Sequence, residues 1–245
     1  MIKELYIENF KSHLKTDLKL SNLNLFTGAN GVGKSSIVQA LLLLRQSAQK
    51  GILGKGIDLN KPLCEIGTVQ DALSDNATNP YLSFRVVTDE SNLEWKTKEL
   101  TDNDLLTTFL PLSSLSKKLG SLLVEKLPVN LSLFGKNFQY LSAARLAPQE
   151  YYERDDYVVT YEQQISLERG QAELIAHFLD VYGKENVEFE NLLHPTQNDK
   201  SIISQVTAWE KEISSNVNVV VNRVGKNFEI KYNFDREDGL TTSDF

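Results

Sequence analysis

The first twenty residues alternate between apolar and polar side chains. Leu5 and Ile7 stand between polar neighbours, and the same alternation returns at Leu18 and Leu20, after the turn-like segment KSHLK. A period of two is typical of strands that bury one face. The pattern therefore predicts an N-terminal β-hairpin built from KELYIENF and TDLKL.

The pattern then changes from strand to helix. The segment from Asn22 to Phe26 (NLNLF) predicts a strand that ends at Thr27–Gly28. From Lys34 onwards the spacing of apolar residues becomes helical, at Ile37, Val38, Leu41, Leu42 and Leu44. The glycine-rich segment is therefore predicted to join a strand to a helix.

The rest of the chain alternates between strand and helix patterns. Residues 50–68 lose periodicity and predict an irregular segment, and YLSFRVVTD with LEWKTKEL predicts a second hairpin. Residues 105–127 have a helical pattern, and a strand is predicted near 138–142. NVNVVVNRV and FEIKYNFD, joined by GKN, predict a third hairpin near the end.

Two later segments have the apolar stripe of an amphipathic helix. In QAELIAHFLDVYG the stripe consists of Leu174, Ile175, Phe178 and Leu179. In DKSIISQVTAWEKEIS it consists of Ile202, Ile203, Val206 and Trp209. Both helices are expected to pack these faces against neighbouring structure.

Composition narrows the class of protein. The 245 residues carry a net charge of -7, so any contact with a nucleic acid requires a local basic patch. A single cysteine, Cys64, fits a reducing compartment, and neither a signal peptide nor a membrane-spanning apolar run is present in the sequence. His13, His177 and His194 lie too far apart in sequence to predict a metal site. These features predict a cytoplasmic protein without a membrane partner.

The segment GANGVGKS has the form G-x-x-x-x-G-K-[ST] of a phosphate-binding loop. Gly28, Gly31 and Gly33 suit a loop that points backbone N–H groups inward at a phosphate. Lys34 is expected to bridge the β- and γ-phosphates of ATP, and the Ser35 hydroxyl to bind Mg²⁺. Ser36 has two interpretations, a phosphate contact or a place on the helix surface.

IKELYIENFKSH followed by NLNLFTGANGVGKSSIVQAL resembles the N-terminal lobe of the RecF/SMC/ABC-type P-loop ATPases. Asn30 and Gly31 match that family's G-x-N-G-x-G-K-S. In the family, NFKSH-like residues pack over the adenine side of the nucleotide. GTVQDAL, YLSAARLAP and GQAELIAHFL resemble a bacterial subgroup of predicted ATPases related to OLD-type and antiphage-defence AAA ATPases, although Ala144 replaces the usual acidic residue.

The resemblance implies an α/β fold: a P-loop NTPase (ABC/SMC-like) lobe with an antiparallel β subdomain and a helical insertion. The expected divisions are a P-loop lobe with β-hairpins over 1–100, a mainly helical insertion with a core strand near 138–142 over 101–215, and a hairpin leading back to the ATPase core over 216–245. Gln70 takes the place of the Q-loop glutamine. It is thus a candidate catalytic residue and Mg²⁺ ligand.

The carboxylates expected to complete a hydrolytic site are not evident. Asp89 and Glu90 follow a half-polar strand pattern, Asp180 falls on a helical pattern, and no LSGGQ-like segment follows. We therefore interpret the sequence as the N-terminal portion of a longer ATPase. By resemblance, that ATPase is a homodimer joined through nucleotide and acts on DNA or a nuclease in repair or defence. A transporter's ATP-binding subunit and a non-hydrolysing nucleotide-binding module are the alternatives.

Overall fold

The computed structural model of the chain describes residues 1–113, 131–235 and 241–244. The chain divides into two compact units, Met1–Phe138 and Gln139–Phe245. The three-part division expected from the sequence stays a prediction, because residues 114–130 of its middle part lie outside the described residues. The helix predicted over 105–127 falls largely on that same segment.

The first unit is built around a four-stranded antiparallel sheet with the order β2-β1-β4-β5. A separate two-stranded sheet pairs β3 with β6. The strands are β1 (Ile2–Phe10), β2 (His13–Lys19), β3 (Gly56–Asp58), β4 (Ser83–Thr88), β5 (Asn92–Lys96) and β6 (Phe109–Pro111). The helices among the described residues of this unit are α1 (Lys34–Gln49), α2 (Val69–Ala72) and α3 (Asp102–Leu105), with a 3₁₀ turn at Ser132–Phe134.

The hydrophobic core of this unit lies between the sheet and α1. The sheet contributes buried side chains such as Leu5 and Phe84, and α1 contributes Leu43 and Leu44. Phe10 packs edge-on against Phe84 with 5.2 Å between the ring centroids. Burial of these side chains fixes the position of α1, and with it the loop that precedes the helix. The N-terminal and middle hairpins predicted from alternation are both confirmed.

The strand predicted over 22–26 is wrong, because that segment has no strand structure. Leu23 and Leu25 are 86% and 84% exposed. The Ser21 N–H donates to the Asn24 side-chain oxygen, and the Asn24 amide donates to the Ser21 carbonyl, so a local turn replaces strand pairing. Residues 138–142 likewise lack strand structure. Every strand pair among the described residues is antiparallel.

The described residues of the second unit form the three-stranded antiparallel sheet β7-β8-β9 and two helices. Its elements are β7 (Val217–Val224), β8 (Asn227–Asp235), β9 (Thr241–Asp244), α4 (Ile175–Tyr182) and α5 (Ile202–Ile213), with a π-helical turn at Tyr157–Tyr161 and a 3₁₀ turn at Glu190–Leu192. The predicted β7–β8 hairpin is confirmed, and Gly225 occupies its turn with φ +62°.

Both predicted helices form in the second unit, and the predicted stripe of α5 is only partly buried, since Ile202, Ile203 and Val206 are half-buried. Gln205 and Ala208 are its buried residues, whereas Trp209 is 47% exposed and its indole N–H donates to the Leu192 carbonyl. The buried Gln205 side chain is satisfied locally, since its amide donates to the Asp199 carbonyl. Among the described helices, none combines the length and apolar character that a membrane crossing requires.

Candidate phosphate-binding site

The loop before α1 has the backbone of an anion cradle. Gly28, Gly31 and Gly33 have φ values of +146°, +83° and +100°, which side-chain-bearing residues rarely adopt. The loop leads directly into the N-terminus of α1, whose first turn has backbone N–H groups without helical partners. The loop and helix end together favour a negatively charged ligand.

Lys34 is the first residue of α1, and its side chain folds back over the loop. The Nζ atom donates to the Gly28 carbonyl at 2.7 Å and to the Ala29 carbonyl at 2.5 Å. The loop therefore curves around the Lys34 ammonium group. A phosphate entering the loop would compete with these carbonyls for the same ammonium.

A cavity of about 340 Å³ opens beside this loop. Most of the side chains and backbone groups that line it were predicted to bind nucleotide: Asn30, Gly31, Gly33, Lys34, Ser35 and Ser36. Gly28 contributes the carbonyl that holds Lys34. Ser35 is exposed beside the cavity, whereas Ser36 is only 7% exposed and so does not lie on the outer helix surface.

The turn of the N-terminal hairpin also lines this cavity, through Lys11 and Ser12. Lys11 has φ +51°, and its Nζ donates to Gln39 Oε1 on α1 at 3.1 Å. The pKa of Lys11 lies below its usual value, because the effect of burial exceeds the opposing effects of Cys64 and Asp71. The alternation pattern did not identify these residues as part of the site. The NFKSH segment was the sequence signal that contained them.

Gln70 lies on α2 and lines a second cavity of about 580 Å³ that also includes Lys11 and Ser12. Gln70 is exposed, and its neighbour Asp71 accepts bonds from the Thr68 backbone N–H at 2.7 Å and the Thr68 hydroxyl at 2.8 Å. These hydrogen bonds lower the pKa of Asp71. The structure thus brings Gln70 to the hairpin turn, and its role as a Mg²⁺ ligand stays a prediction.

The hairpin turn contacts the chain around Gln70 through the backbone. The Lys11 N–H donates to the Ala72 carbonyl at 2.8 Å, and the Ser74 N–H donates to the Asn9 carbonyl at 3.0 Å. The same turn also lines the loop cavity, so it contacts both the phosphate-binding loop and the segment around Gln70.

The carboxylates weighed as further metal ligands occupy other surroundings. Asp89 and Glu90 lie in the exposed turn between β4 and β5, and Asp89 Oδ1 is 3.5 Å from Lys3 Nζ. In the second unit, Asp180 accepts a two-pronged bond from Arg223, at 2.9 Å from Nε and 2.6 Å from Nη2. These contacts agree with the exposed-hairpin and helical interpretations of the two segments.

The comparison with known proteins found a match within the first unit. Residues 1–109 match a family model described as an AAA ATPase domain. No curated protein matches the chain significantly. The family match supports a P-loop ATPase of α/β fold, with ATP binding and hydrolysis as its general activity. ATPases of this class generally use ATP with Mg²⁺, and the matched residues include the loop, both cavities and Gln70.

Proposed function

We propose that the chain is the ATP-binding lobe of an ABC/SMC-like ATPase. One observation carries the proposal: a loop with three positive-φ glycines closes on Lys34 at the start of the 16-residue helix α1. Glycines of the loop, the Lys34 side chain and the first residues of α1 line one cavity. A cationic side chain and a helix N-terminus match the phosphates of a nucleotide.

The residues of the loop have distinct proposed roles. Gly31 and Gly33 would present N–H groups to the phosphates, and Lys34 would exchange its two carbonyl acceptors for phosphate oxygens. The Ser35 hydroxyl, exposed beside the cavity, would hold Mg²⁺. Mg²⁺ supplies charge neutralisation at the phosphates when bound. Gln70, across the hairpin turn, is the weaker candidate for a second contact to the metal or the attacking water.

In the complete protein, this lobe would hydrolyse ATP at a homodimer bridged by nucleotide and switch an effector linked to DNA or to a nuclease. The support is the resemblance of the loop and hairpin segments to RecF/SMC-type lobes, and antiphage defence follows from the same resemblance. A net charge of -7 requires any DNA contact to use a local basic patch. Duplex DNA binding that weakens steeply with salt would support that partner.

Calorimetric titration with MgATP, together with phosphate release, tests this function on the full chain and on Lys34→Ala. Lys55→Ala is the matched control, because Lys55 is an exposed lysine that does not line the loop cavity. We expect Lys34→Ala to weaken MgATP binding at least about tenfold, the effect of losing a charge-assisted contact, and Lys55→Ala to bind normally.

The outcomes of these measurements distinguish the proposed function from its alternatives. Binding that requires Lys34, with no phosphate release, supports a nucleotide-binding lobe. Release that requires Lys34 would show that this chain alone hydrolyses ATP. Absence of binding in the unmodified chain would refute the proposed site. A flat response of DNA binding to salt, with recovery in a membrane fraction, would favour the transporter alternative.

A further inference from the structure

His13 joins the N-terminal hairpin to the phosphate-binding loop. It is the first residue of β2, is 7% exposed, and uses both ring nitrogens. Nδ1 lies 2.8 Å from Thr16 Oγ1 on the same strand. Nε2 lies 3.0 Å from the carbonyl oxygen of Gly33, the last glycine of the loop. The imidazole therefore connects two segments twenty residues apart in the chain.

The chemistry of these partners fixes the position of the proton. A carbonyl oxygen only accepts hydrogen bonds, so Nε2 must carry the hydrogen that reaches Gly33. In the neutral ring, Nδ1 is then the acceptor, and the Thr16 hydroxyl donates to it. Thr16 thus holds the ring in the orientation that aims Nε2–H at the loop.

The Gly33 carbonyl has a second function at the start of α1. It accepts the Ser36 N–H at 3.0 Å and the Ile37 N–H at 3.3 Å, the first hydrogen bonds of the helix. No side chain caps this helix end. His13 is therefore a third donor on the carbonyl that begins the helix.

The same carbonyl also determines where the next N–H points. The Gly33 carbonyl and the Lys34 N–H belong to one planar trans peptide group, so they point in opposite directions. Fixing the oxygen towards His13 therefore directs the Lys34 N–H to the opposite side of the peptide, away from the His13 ring. Gly33, Lys34 and Ser35 line the loop cavity, so this peptide forms part of its wall.

Steric contact reinforces the arrangement. A β carbon on Gly33 would lie 2.6 Å from His13 Nε2 and also collide with Ser12 Oγ. The hairpin turn therefore lies directly against the glycine, with no space for movement of the loop towards it. The hydrogen bond and the close packing act on the same residue.

We propose that His13 is a positioning residue of the phosphate-binding loop: its Nε2–H holds the Gly33 carbonyl and so orients the first N–H groups of α1 for phosphate. That the loop binds the phosphate of a nucleotide rests on the proposed function. The orientation of the loop itself does not, and it is measurable without nucleotide.

The first test uses the nucleotide-free full chain. Long-range ¹H–¹⁵N spectra identify which ring nitrogen of His13 carries the proton, and hydrogen exchange follows the Ser36 and Ile37 amides. We expect the Nε2–H tautomer in the unmodified protein. We expect His13→Phe, which keeps ring volume but removes both nitrogens, to raise exchange of these amides at least about fivefold.

The second test measures MgATP affinity in the same variants. We expect His13→Phe to weaken binding about tenfold, equivalent to one lost hydrogen bond, with Thr16→Val intermediate. His13→Gln, which can keep an N–H donor near the position of Nε2, should bind within about threefold of the unmodified chain. Lys15→Ala, an exposed change on the same strand, is the matched control.

The outcomes separate positioning from a purely structural role. A lowered unfolding midpoint with unchanged amide exchange in His13→Phe, or an Nδ1–H tautomer, overturns the proposal. Failure of His13→Gln to restore amide protection also overturns it. If the unmodified chain binds no ATP, the proposed function fails, while the tautomer and exchange measurements still decide whether His13 holds the loop.

Discussion

The Cα atom of Gly33 faces the His13 ring so closely that a β carbon on Gly33 would lie 2.6 Å from Nε2. Real Cβ atoms essentially never approach a neighbour so closely. Gly33 also has φ +100°, whereas Gly31, at φ +83°, would meet no atom within 4 Å if it carried a β carbon. Substitutions at the two glycines therefore distinguish the cost of backbone strain from the cost of steric overlap.

Gly33→Ala is expected to destabilise the chain by about 3 kcal/mol, since strained φ and steric overlap both contribute. Gly31→Ala should cost about 1 kcal/mol, the strain alone. Urea unfolding of the two variants measures the difference. Equal losses would show that the hairpin turn moves away from Gly33 without cost.

Gln46 of α1 holds the irregular chain between β3 and α2. Its Nε2 donates to the Asp58 carbonyl at 2.8 Å, and its Oε1 accepts the N–H groups of Leu63 at 3.2 Å and Cys64 at 3.1 Å. Gln46→Ala leaves three backbone groups without this partner and should cost about 3 kcal/mol. Gln49→Ala, an exposed change on the same helix, should cost less than about 0.5 kcal/mol. Unfolding curves in urea would contradict this account if both glutamines behaved alike.

Cys64 should be unreactive in the folded protein. Burial raises the pKa of its thiol to about 12, with a smaller opposing effect from Lys11. The thiolate fraction at pH 8 is then about 10⁻⁴, and the thiolate is the reactive form. Labelling with a disulfide reagent at pH 8 should be at least about a hundredfold slower in the folded chain than in urea. Equal labelling rates in the two conditions would show that the thiol is accessible to the reagent and that its pKa is not raised.

Asp104 should contribute to the acid stability of the first unit. Hydrogen bonds from Lys98 and then from the Thr101 backbone and hydroxyl lower its pKa to about 2. Because the folded-state pKa is lowered, the stabilisation is present above the ordinary carboxyl pKa near 3.8 and is lost as the pH falls towards 2.

The unfolding midpoint of Asp104→Asn, followed from pH 5 to pH 2, tests this contribution. The variant should melt below the unmodified chain at pH 5, and the two should converge near pH 2. Asp102→Asn, which removes a carboxylate from the same short helix, is the matched control. A constant difference for Asp104→Asn across this range would contradict the assignment.

The sequence by itself determined the local features of this protein. Gly28, Gly31 and Gly33 before Lys34 specify backbone conformations that few other residues adopt, so the loop was predictable residue by residue. Alternation predicted the three hairpins because a strand's side-chain period is set by its own backbone.

Only the tertiary structure decided which segments meet around that loop. The contact of His13 with Gly33, and the presence of Lys11 at both cavities, depend on how the hairpin packs against α1. The tertiary structure also leaves residues 22–26 without a paired strand. A strand needs a neighbour for its backbone hydrogen bonds, and alternation along one segment does not reveal whether that neighbour is in place.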